Sequence, residues 1–317
     1  MSPRILIHSP RDGEAQRYAE LVRAACSDAN IVISTRQAEA EQAVGDAEIL
    51  LGWWFPPSMF SKATRLRWIH KVSAGVEDVT LNRDIGSEVI LTRTDGAMIA
   101  PRMVEYVLGT IFAISQRFPQ AWKQQRERHW QSFSVGLAKG RTVGVAGLGD
   151  IGGAIARAVH DNGMRVLGWR RTRTECNSVE RVYAGREELV PFVAACDFVV
   201  IVLPATPATG GLFSDAVFSA MKSSAYLINV GRGAIVDEEA LARAVLDGQI
   251  AGAELDVFVE EPLPLTSRLW EIDRILITPH VSGPIVPEDV IGCFLENLRS
   301  YLRGEPLRRQ VDRRRCY

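Results

Sequence analysis

The segment Gly147–Gly152, with the sequence GLGDIG, constrains the fold of this chain more than any other feature. It follows the β-rich run Thr142–Ala146 and leads into the helix predicted over Ile151–Asn162, so its glycines lie where a strand turns into a helix. At such a junction the first glycine permits a tight turn, the second lets a pyrophosphate approach the backbone, and the third lets the helix pack closely on the strand. The helix N–H groups and dipole then favour phosphate. The pattern predicts a dinucleotide-binding βαβ unit.

Short β-rich runs alternate with helical segments along the chain, which predicts an α/β fold with parallel sheets covered on both faces. A first series has predicted strands at Ile5–His8, Ile31–Thr35, Ala47–Trp54, Arg67–Val72 and Val89–Arg93, and a helix at Glu14–Cys26. The second series continues from Thr142–Ala146 with strands at Arg165–Trp169, Phe198–Leu203, Tyr226–Val230, Ala251–Val257 and Ile275–Thr278, and with helices at Arg186–Ala195, Asp215–Met221 and Asp237–Asp247. Between the two series a long helix is predicted over Pro101–Trp130, with Pro101 in its first turn.

The 317 residues favour two domains, at about 100–200 residues for each. The last helical segment, Pro287–Arg303, follows the final strand of the second series and is predicted to return to the first domain. We therefore expect a discontinuous substrate domain over residues 1–98 and 285–317, and an NAD(P)-binding Rossmann domain over residues 99–284.

Composition excludes several classes of protein. With 37 Lys and Arg against 38 Asp and Glu, the chain has no overall field to attract nucleic acid or an anionic membrane. Its longest apolar stretch, around Val107–Ile114, is shorter than the ~20 residues that span a bilayer. The 5 cysteines are scattered without metal-ligand spacing, which favours reduced thiols, no metal site and a cytoplasmic location. The arginine-rich C-terminus is interpreted as a solvated tail, with Arg308, Arg309, Arg313, Arg314 and Arg315.

The residue that contacts the ribose of a dinucleotide lies at the end of the next strand, where an acidic side chain would bind the 2′-hydroxyl of NAD. This chain instead has Arg170, Arg171 and Thr172 there. Guanidinium groups bind a 2′-phosphate in a bidentate manner, and a threonine hydroxyl can add a hydrogen bond. The sequence therefore predicts NADP as the preferred cofactor, with NAD as the alternative; solvated surface arginines are the structural alternative.

Three later strands end in groups suited to the reduction of a 2-keto acid. Arg232 lies between two glycines after Tyr226–Val230, Glu261 follows Ala251–Val257, and His280 follows Ile275–Thr278. The carboxyl ends of parallel strands meet at the cofactor crevice, so these groups are expected to converge. Each of them alone has a structural interpretation, as a hydrogen-bonded histidine, a loop clamp or a surface charge.

The motifs together resemble those of the D-isomer-specific 2-hydroxyacid dehydrogenases over nearly the whole chain. Besides GLGDIG they are Leu203-Pro204-Ala205-Thr206 with Thr209, Asn229-Val230-Gly231-Arg232-Gly233, Leu255-Asp256-Val257-Phe258 with Glu261-Pro262-Leu263-Pro264, and Thr278-Pro279-His280. The Trp53-Trp54-Phe55-Pro56-Pro57 stretch and the ending Gly304-Glu305-Pro306 with Gln310-Val311-Asp312 resemble the glyoxylate/hydroxypyruvate reductase A branch of that family.

The resemblance implies a fold and a set of roles. It implies two doubly wound domains, a flavodoxin-like substrate domain and a Rossmann coenzyme domain, with the active site in the cleft between them. His280 would be the general acid, Glu261 its orienting carboxylate, and Arg232 the group that binds the substrate carboxylate. Backbone N–H groups of Ala74, Gly75 and Val76 would also bind that carboxylate. The implied cofactor contacts are Gly147, Leu148, Gly149, Asp150, Ile151, Gly152, Arg170, Arg171, Thr172, Leu203, Pro204, Thr209, Val230, Gly231, Arg232, Asp256, His280 and Gly283, with Asp256 near the nicotinamide carboxamide.

The sequence thus predicts an NADPH-dependent reductase of small 2-keto acids such as glyoxylate and hydroxypyruvate, acting by hydride transfer as a homodimer built around the Pro101–Trp130 helix. Three alternatives stay open. They are a 3-phosphoglycerate dehydrogenase, a reductase of a bulkier 2-keto acid, and a non-catalytic NAD(P)-sensing protein similar to corepressors. Neither a nucleic acid nor a membrane is expected as a partner.

Overall fold

The computed structural model describes residues 2–11 and 13–313. Its chain divides into two compact units, one formed by residues 1–98 with 285–317 and the other by residues 99–284. Arg314 and Arg315, predicted to lie in a solvated tail, and Cys316, predicted to be a reduced thiol, lie outside the described residues.

The first unit is built on a parallel five-stranded sheet. Its strands are β1 (Arg4–His8), β2 (Asn30–Ser34), β3 (Ile49–Gly52), β4 (Trp68–Lys71) and β5 (Ile90–Arg93), in the order β2-β1-β3-β4-β5. This is the flavodoxin-like order of a doubly wound sheet. The helices are α1 (Glu14–Ala25), α2 (Gln37–Ala43) and the short α3 (Glu77–Thr80). All residues of β3 and β4 are buried, as expected for inner strands of a parallel sheet covered on both faces.

The C-terminal helix α10 (Pro287–Leu302) completes the core of this unit. Phe294 stacks on the fully buried Trp68 of β4 with 5.1 Å between ring centroids, and Tyr301 stacks on the same indole at 5.6 Å. Burying these aromatic faces gives the physical reason for the return of the chain to its first unit. Of the C-terminal arginines, Arg309 and Arg313 are not simply solvated, because Arg309 pairs with Asp95 and Arg313 donates to the carbonyls of Ile85 and Gly86.

The second unit contains a parallel seven-stranded sheet in the order β12-β11-β10-β9-β6-β7-β8. Its strands are β6 (Thr142–Ala146), β7 (Arg165–Arg170), β8 (Arg181–Ala184), β9 (Phe198–Ile201), β10 (Tyr226–Asn229), β11 (Gly252–Leu255) and β12 (Ile275–Ile277). The helices assigned here are α4 (Gly96–Ser115, which begins before the unit does), α5 (Phe118–Arg126), α6 (Asp150–Asp161), α7 (Leu189–Ala195), α8 (Asp215–Phe218) and α9 (Glu238–Leu246). Starting from β6, the order is that of a Rossmann sheet with one further strand, which confirms the predicted fold class.

The long helix predicted over Pro101–Trp130 is wrong in its bounds and its continuity. The structure has two helices instead, α4 and α5, separated at Arg117, whose φ of 55° is left-handed. Pro101 is not in the first turn, because the Asp95 carboxylate accepts the Ala97 N–H at 3.0 Å and the helix already begins at Gly96. The helices α2 and α3 and the strand β8 were not predicted from the sequence, and many strand ends were predicted one or two residues too far out.

By length and composition alone, α4 is apolar enough to cross a membrane, contrary to the expectation from the sequence. Core helices of globular proteins meet the same criterion. In this chain Tyr106 and Thr110 of α4 are hydrogen-bonded to the buried carboxyl group of Glu254 on β11, so the helix is part of the packed second unit.

Candidate active site

The glycine turn between β6 and α6 has the geometry of a pyrophosphate cradle. Gly147 has a φ of 104°, and a Cβ at Gly152 would lie 1.8 Å from the Gly147 carbonyl oxygen, so both positions require glycine. A Cβ at Gly149 would instead meet nothing within 4 Å. The open space at the second glycine is where the phosphates of a dinucleotide approach the backbone, so these residues fit the cofactor. Leu148, Asp150 and Ile151 complete the turn and the first residues of α6.

The end of β7 carries the arginines predicted to select the cofactor. Arg170 is the last residue of this strand, and within the described residues its side chain has no hydrogen-bond or ion-pair partner. Arg171 and Thr172 follow it and are exposed. Arg173, by contrast, is bound to both carboxylate oxygens of Glu188 at 2.7–2.8 Å. Arg170 is therefore the guanidinium at this strand end that is left available for an anion.

The loops after β9 and β10 carry further predicted cofactor residues. The Thr209 hydroxyl accepts the Thr206 N–H at 2.8 Å and donates to the Pro204 carbonyl at 2.7 Å, which closes the loop after β9. Gly231 lies against this loop, since a Cβ there would be 2.9 Å from the Leu203 carbonyl oxygen. Val230, between β10 and Gly231, is buried. The glycine turn packs on the same loop, because a Cβ at Gly147 would be 2.5 Å from the Val202 carbonyl oxygen.

The turn that presents Arg232 is held by an asparagine. The buried Asn229 accepts the Gly231 N–H and donates to the Arg232 carbonyl, both at 3.1 Å. Gly233 lets this turn pack against the chain after β11, because a Cβ there would be 1.9 Å from the Phe258 carbonyl carbon. Arg232 is thus carried next to the segment that contains Glu261.

His280 and Glu261 are in direct contact. Nδ1 of His280 lies 2.7 Å from Oε2 of Glu261, while Oε1 of Glu261 accepts the Phe258 N–H at 3.0 Å. Both side chains are about one-third exposed, so the pair is open to a ligand. Partial burial acts to raise the pKa of Glu261. The hydrogen bonds from His280 and Phe258 and the charges of His280 and Arg232 outweigh that effect, so the pKa lies below its ordinary value.

The structure thus joins His280 and Glu261 from two strand ends, and the charge of Arg232, which follows a third strand, acts on the Glu261 carboxylate. An imidazole held by a carboxylate can donate a proton through its second nitrogen, and a guanidinium can bind a carboxylate; both are needed to reduce a 2-keto acid.

Asp256 is fully buried, and its contacts lie within the turn that carries His280. Its Oδ1 accepts the Thr278 hydroxyl at 2.6 Å and the Val281 N–H at 2.8 Å, and its Oδ2 accepts the Ser282 N–H at 2.9 Å. Its backbone carbonyl accepts the His280 N–H at 2.9 Å. A contact of Asp256 with the nicotinamide carboxamide remains a prediction, and in the structure its carboxylate fixes the turn. Gly283 closes the turn against α4, where a Cβ would be 3.0 Å from Ile99 and Met103.

In the first unit, the segment from Ala74 to Val76 follows β4. Ser73 donates to the Gly75 carbonyl at 2.8 Å, and Arg93 donates to the Ala74 carbonyl at 2.7 Å. Within the part of the chain that is described, the N–H groups of Ala74, Gly75 and Val76 donate no hydrogen bond. These three donors are thus free for an anion, but their role toward a substrate remains a prediction.

Sequence reasoning missed the supporting residues of the site. Asn229 was quoted only as part of a motif, and Tyr106, Glu254 and Thr278 were given no role. A signal was present for Glu254, since a carboxylate inside the otherwise apolar strand Gly252–Leu255 must find partners once buried. Among residues 2–11 and 13–313 there is no group of three His, Cys, Asp or Glu side chains that suits a metal ion.

The strand order and the glycine turn define the second unit as an NAD(P)-binding Rossmann unit. Residues 108–282 match the family model for the NAD-binding domain of the D-isomer specific 2-hydroxyacid dehydrogenases. The glyoxylate/hydroxypyruvate reductase A of Yersinia enterocolitica is 31% identical over 268 residues, which cover 82% of this chain and 85% of that protein. The chain therefore belongs to the D-isomer-specific 2-hydroxyacid dehydrogenase family, whose members are NAD(P)-dependent oxidoreductases, as the sequence predicts.

Two solved structures are similar over the whole chain. A D-isomer specific 2-hydroxyacid dehydrogenase from Xanthobacter autotrophicus Py2, in complex with NADPH and MES, is 33% identical with a TM-score of 0.90, and 100% of each chain is covered. The NADPH-dependent glyoxylate/hydroxypyruvate reductase of Sinorhizobium meliloti, in complex with NADP and sulfate, is 26% identical with a TM-score of 0.89, again over 100% of each chain.

Proposed function

We propose that this protein reduces small 2-keto acids, with glyoxylate and hydroxypyruvate as the first candidates, and that NADPH is its reductant. The observation that carries the proposal is the 2.7 Å contact between His280 and Glu261 with the charge of Arg232 beside it, in an NAD(P)-binding unit. The likeness to glyoxylate/hydroxypyruvate reductases supports the choice of substrates.

Each of the three side chains has a separate role in the proposed reaction. A nicotinamide cofactor held by the glycine turn would supply the hydride for the carbonyl carbon, so that negative charge would develop on the carbonyl oxygen. His280 donates a proton to that oxygen from Nε2 while Glu261 holds Nδ1 and fixes the ring. Arg232 binds the substrate carboxylate and stabilises the developing charge with a group that is already oriented. Where C2 becomes a stereocentre, the product is the D-2-hydroxy acid.

The preference for NADPH is proposed from Arg170. Its guanidinium, without a partner within the described residues, suits the 2′-phosphate, whereas NAD offers only a hydroxyl there. Relatives in complex with NADPH or NADP support this choice. In the first unit, the N–H groups of Ala74, Gly75 and Val76 are proposed to bind the substrate carboxylate, which suits three donors without internal acceptors.

The test is a steady-state assay of NADPH and NADH oxidation with a panel of 2-keto acids. Rapid oxidation of NADPH with glyoxylate or hydroxypyruvate is expected, with kcat/KM at least tenfold higher than with NADH. Three results would each contradict the proposal. They are turnover restricted to NADH and phosphohydroxypyruvate, a preference for aromatic 2-keto acids, and cofactor binding without any turnover.

The oligomeric state proposed is a homodimer formed through α4, α5 and the segment after them. Five large apolar side chains are exposed along this stretch, and contiguous exposed apolar side chains of this kind mark interaction sites: Phe112, Phe118, Trp122, Trp130 and Leu137. Trp122→Glu is expected to turn a dimer into a monomer in light scattering after gel filtration. Leu265→Glu, at an exposed position elsewhere in the second unit, is the control. A wild-type monomer contradicts the proposal.

A cytoplasmic location is proposed as well. The described cysteines Cys26, Cys176, Cys196 and Cys293 are all free thiols, which suits a reducing compartment. Cell fractionation tests this proposal, and recovery of the protein with membranes or outside the cytoplasm contradicts it.

A further inference from the structure

Two carboxyl groups are buried together beside the His280 turn. Glu254 on β11 is 3% exposed and Asp256, just after this strand, is 0% exposed. Residues two apart on a strand point to the same side of the sheet, so both side chains lie on one face. Two charged carboxylates in such a place are unfavourable, and one of them is expected to keep its proton.

The hydrogen bonds decide which one. Asp256 accepts from the Thr278 hydroxyl and from the N–H groups of Val281 and Ser282, the pattern of a charged carboxylate, which can only accept. Within the described residues, Glu254 has no N–H donor. Its Oε1 is hydrogen-bonded to the Tyr106 hydroxyl and lies 3.4 Å from the Thr278 hydroxyl oxygen, and its Oε2 accepts the Thr110 hydroxyl at 3.0 Å.

Counting hydroxyl protons gives the direction of each bond. Thr278 has one hydroxyl proton and donates it to Asp256 at 2.6 Å, because its distance to Glu254 is 3.4 Å. In its 2.5 Å contact with Tyr106 it must therefore accept. Tyr106 therefore donates its only proton to Thr278. In its contact with Glu254, Tyr106 then accepts, and the donor is a protonated Glu254. The chain of donors runs from Glu254 through Tyr106 and Thr278 to Asp256.

Burial agrees with this direction. Burial first and the charge of Asp256 second raise the pKa of Glu254 to about 8. Among the described residues, the titratable groups that face Glu254 are Tyr106 from α4 and Asp256 from the end of β11. Its neighbours in register on β10 and β12 are the apolar Ile228 and Leu276.

We propose that Tyr106 and a protonated Glu254 are positioning residues of the active site, which fix the Asp256 carboxylate and through it the backbone turn that presents His280. The inference rests on the proposed function for the role of His280. The turn needs such support, because His280 has a φ of 53°, in the left-handed region that a residue other than glycine seldom adopts. The N–H groups that bind Asp256 belong to Val281 and Ser282, the two residues directly after His280.

Glutamine is the informative substitution at Glu254. Its amide nitrogen can donate to Tyr106 and its oxygen can accept from Thr110, so Glu254→Gln preserves the direction of the chain at every pH. Tyr106→Phe removes a single hydroxyl group and interrupts the chain. Tyr226→Phe removes a hydroxyl from β10 that has no hydrogen bond within the described residues, and it serves as the matched control.

The first readout does not depend on activity. Hydrogen exchange of the Val281 and Ser282 amides, followed by NMR in the full chain, should become at least tenfold faster in Tyr106→Phe. Glu254→Gln and Tyr226→Phe should leave the exchange rates of these two amides unchanged at pH 7. In all three variants, the exchange rates of the β6 amides should stay at the wild-type value. Unchanged exchange in Tyr106→Phe, or acceleration by Glu254→Gln equal to that by Tyr106→Phe, overturns the proposal.

The second readout is the pH profile of kcat. Tyr106→Phe should lower kcat about tenfold with a smaller change in KM, and its effect should vanish in a His280→Ala background. The ratio of kcat in Glu254→Gln to kcat in wild type should be near one at pH 7 and rise toward pH 9, where wild-type Glu254 loses its proton. A constant ratio contradicts the proposal. Failure of the proposed function is recognised separately, as unchanged turnover in His280→Ala alone.

Discussion

Nδ1 of His280 lies 2.7 Å from Oε2 of Glu261, and the other oxygen of this carboxylate is bound to the Phe258 N–H. The carboxylate is therefore fixed at one end by the backbone and fixes the imidazole at the other. With Nδ1 bound to Glu261, the proposed function assigns proton donation to Nε2 of His280, and substitution of His280 tests this assignment.

His280→Ala is expected to lower kcat by on the order of 10²–10⁴-fold, the usual contribution of a general acid. The NADPH dissociation constant should change less than threefold, because the glycine turn and Arg170 are untouched. Stopped-flow turnover and fluorescence titration of NADPH measure the two quantities. Wild-type turnover in this variant would show that another group donates the proton.

Arg170→Asp is expected to weaken NADPH binding at least tenfold more than NADH binding, since it removes a phosphate ligand and adds repulsion. Arg165→Asp is the matched control, with the same change of charge at the other end of β7, about 16 Å away. Its ion pair with Glu180 is exposed, so little stability should be lost. Equal losses for both cofactors in Arg170→Asp would make this arginine a structural residue.

Gly149→Ala should separate folding from cofactor binding. The added Cβ meets no protein atom within 4 Å, so the melting temperature of the free protein should stay within about 2 °C of wild type, while NADPH affinity falls at least tenfold because the methyl group occupies the phosphate cradle.

Gly153→Ala, also open around its Cβ but inside α6, is the control and should bind NADPH normally. In Gly152→Ala the methyl group would lie 1.8 Å from the Gly147 carbonyl oxygen, so the turn itself must shift and thermal stability should fall as well. Normal NADPH affinity in Gly149→Ala would contradict the assignment of the cradle.

The stability of the protein should depend on pH through Glu254. The pKa of this group is raised in the folded state to about 8, so the stability that its protonation contributes is fully present below the ordinary pKa of a glutamate and is lost as the pH rises through about 8. The difference in melting temperature between wild type and Glu254→Gln should therefore shift steadily against wild type from pH 5 to pH 8.5. Differential scanning calorimetry at several pH values measures this difference. A constant difference would mean that Glu254 is charged in the folded protein.

The sequence predicted those features that are encoded in short stretches of chain. Thr142–Ala146 and the glycines after it are local signals that predict the Rossmann sheet, and the further short motifs at later strand ends add the resemblance to the family; both are confirmed. The prediction of one long helix was wrong because the left-handed residue that ends α4 is Arg117, and no glycine in the sequence indicates a turn there. The edge strand Arg181–Ala184 was missed because it is short and partly exposed, without the apolar run that marks the inner strands.

What the sequence by itself determined is most of the order of strands and helices, the glycine turn, and the chemical types of side chain at the strand ends. Only the tertiary structure decided how these groups act on one another. Glu254 and Tyr106 are 148 residues apart in the chain, yet their contact and their burial beside Asp256 determine which carboxyl group keeps its proton. The physical reason is that desolvation and charge interaction depend on distance in space, which residue types and spacing along the chain do not specify.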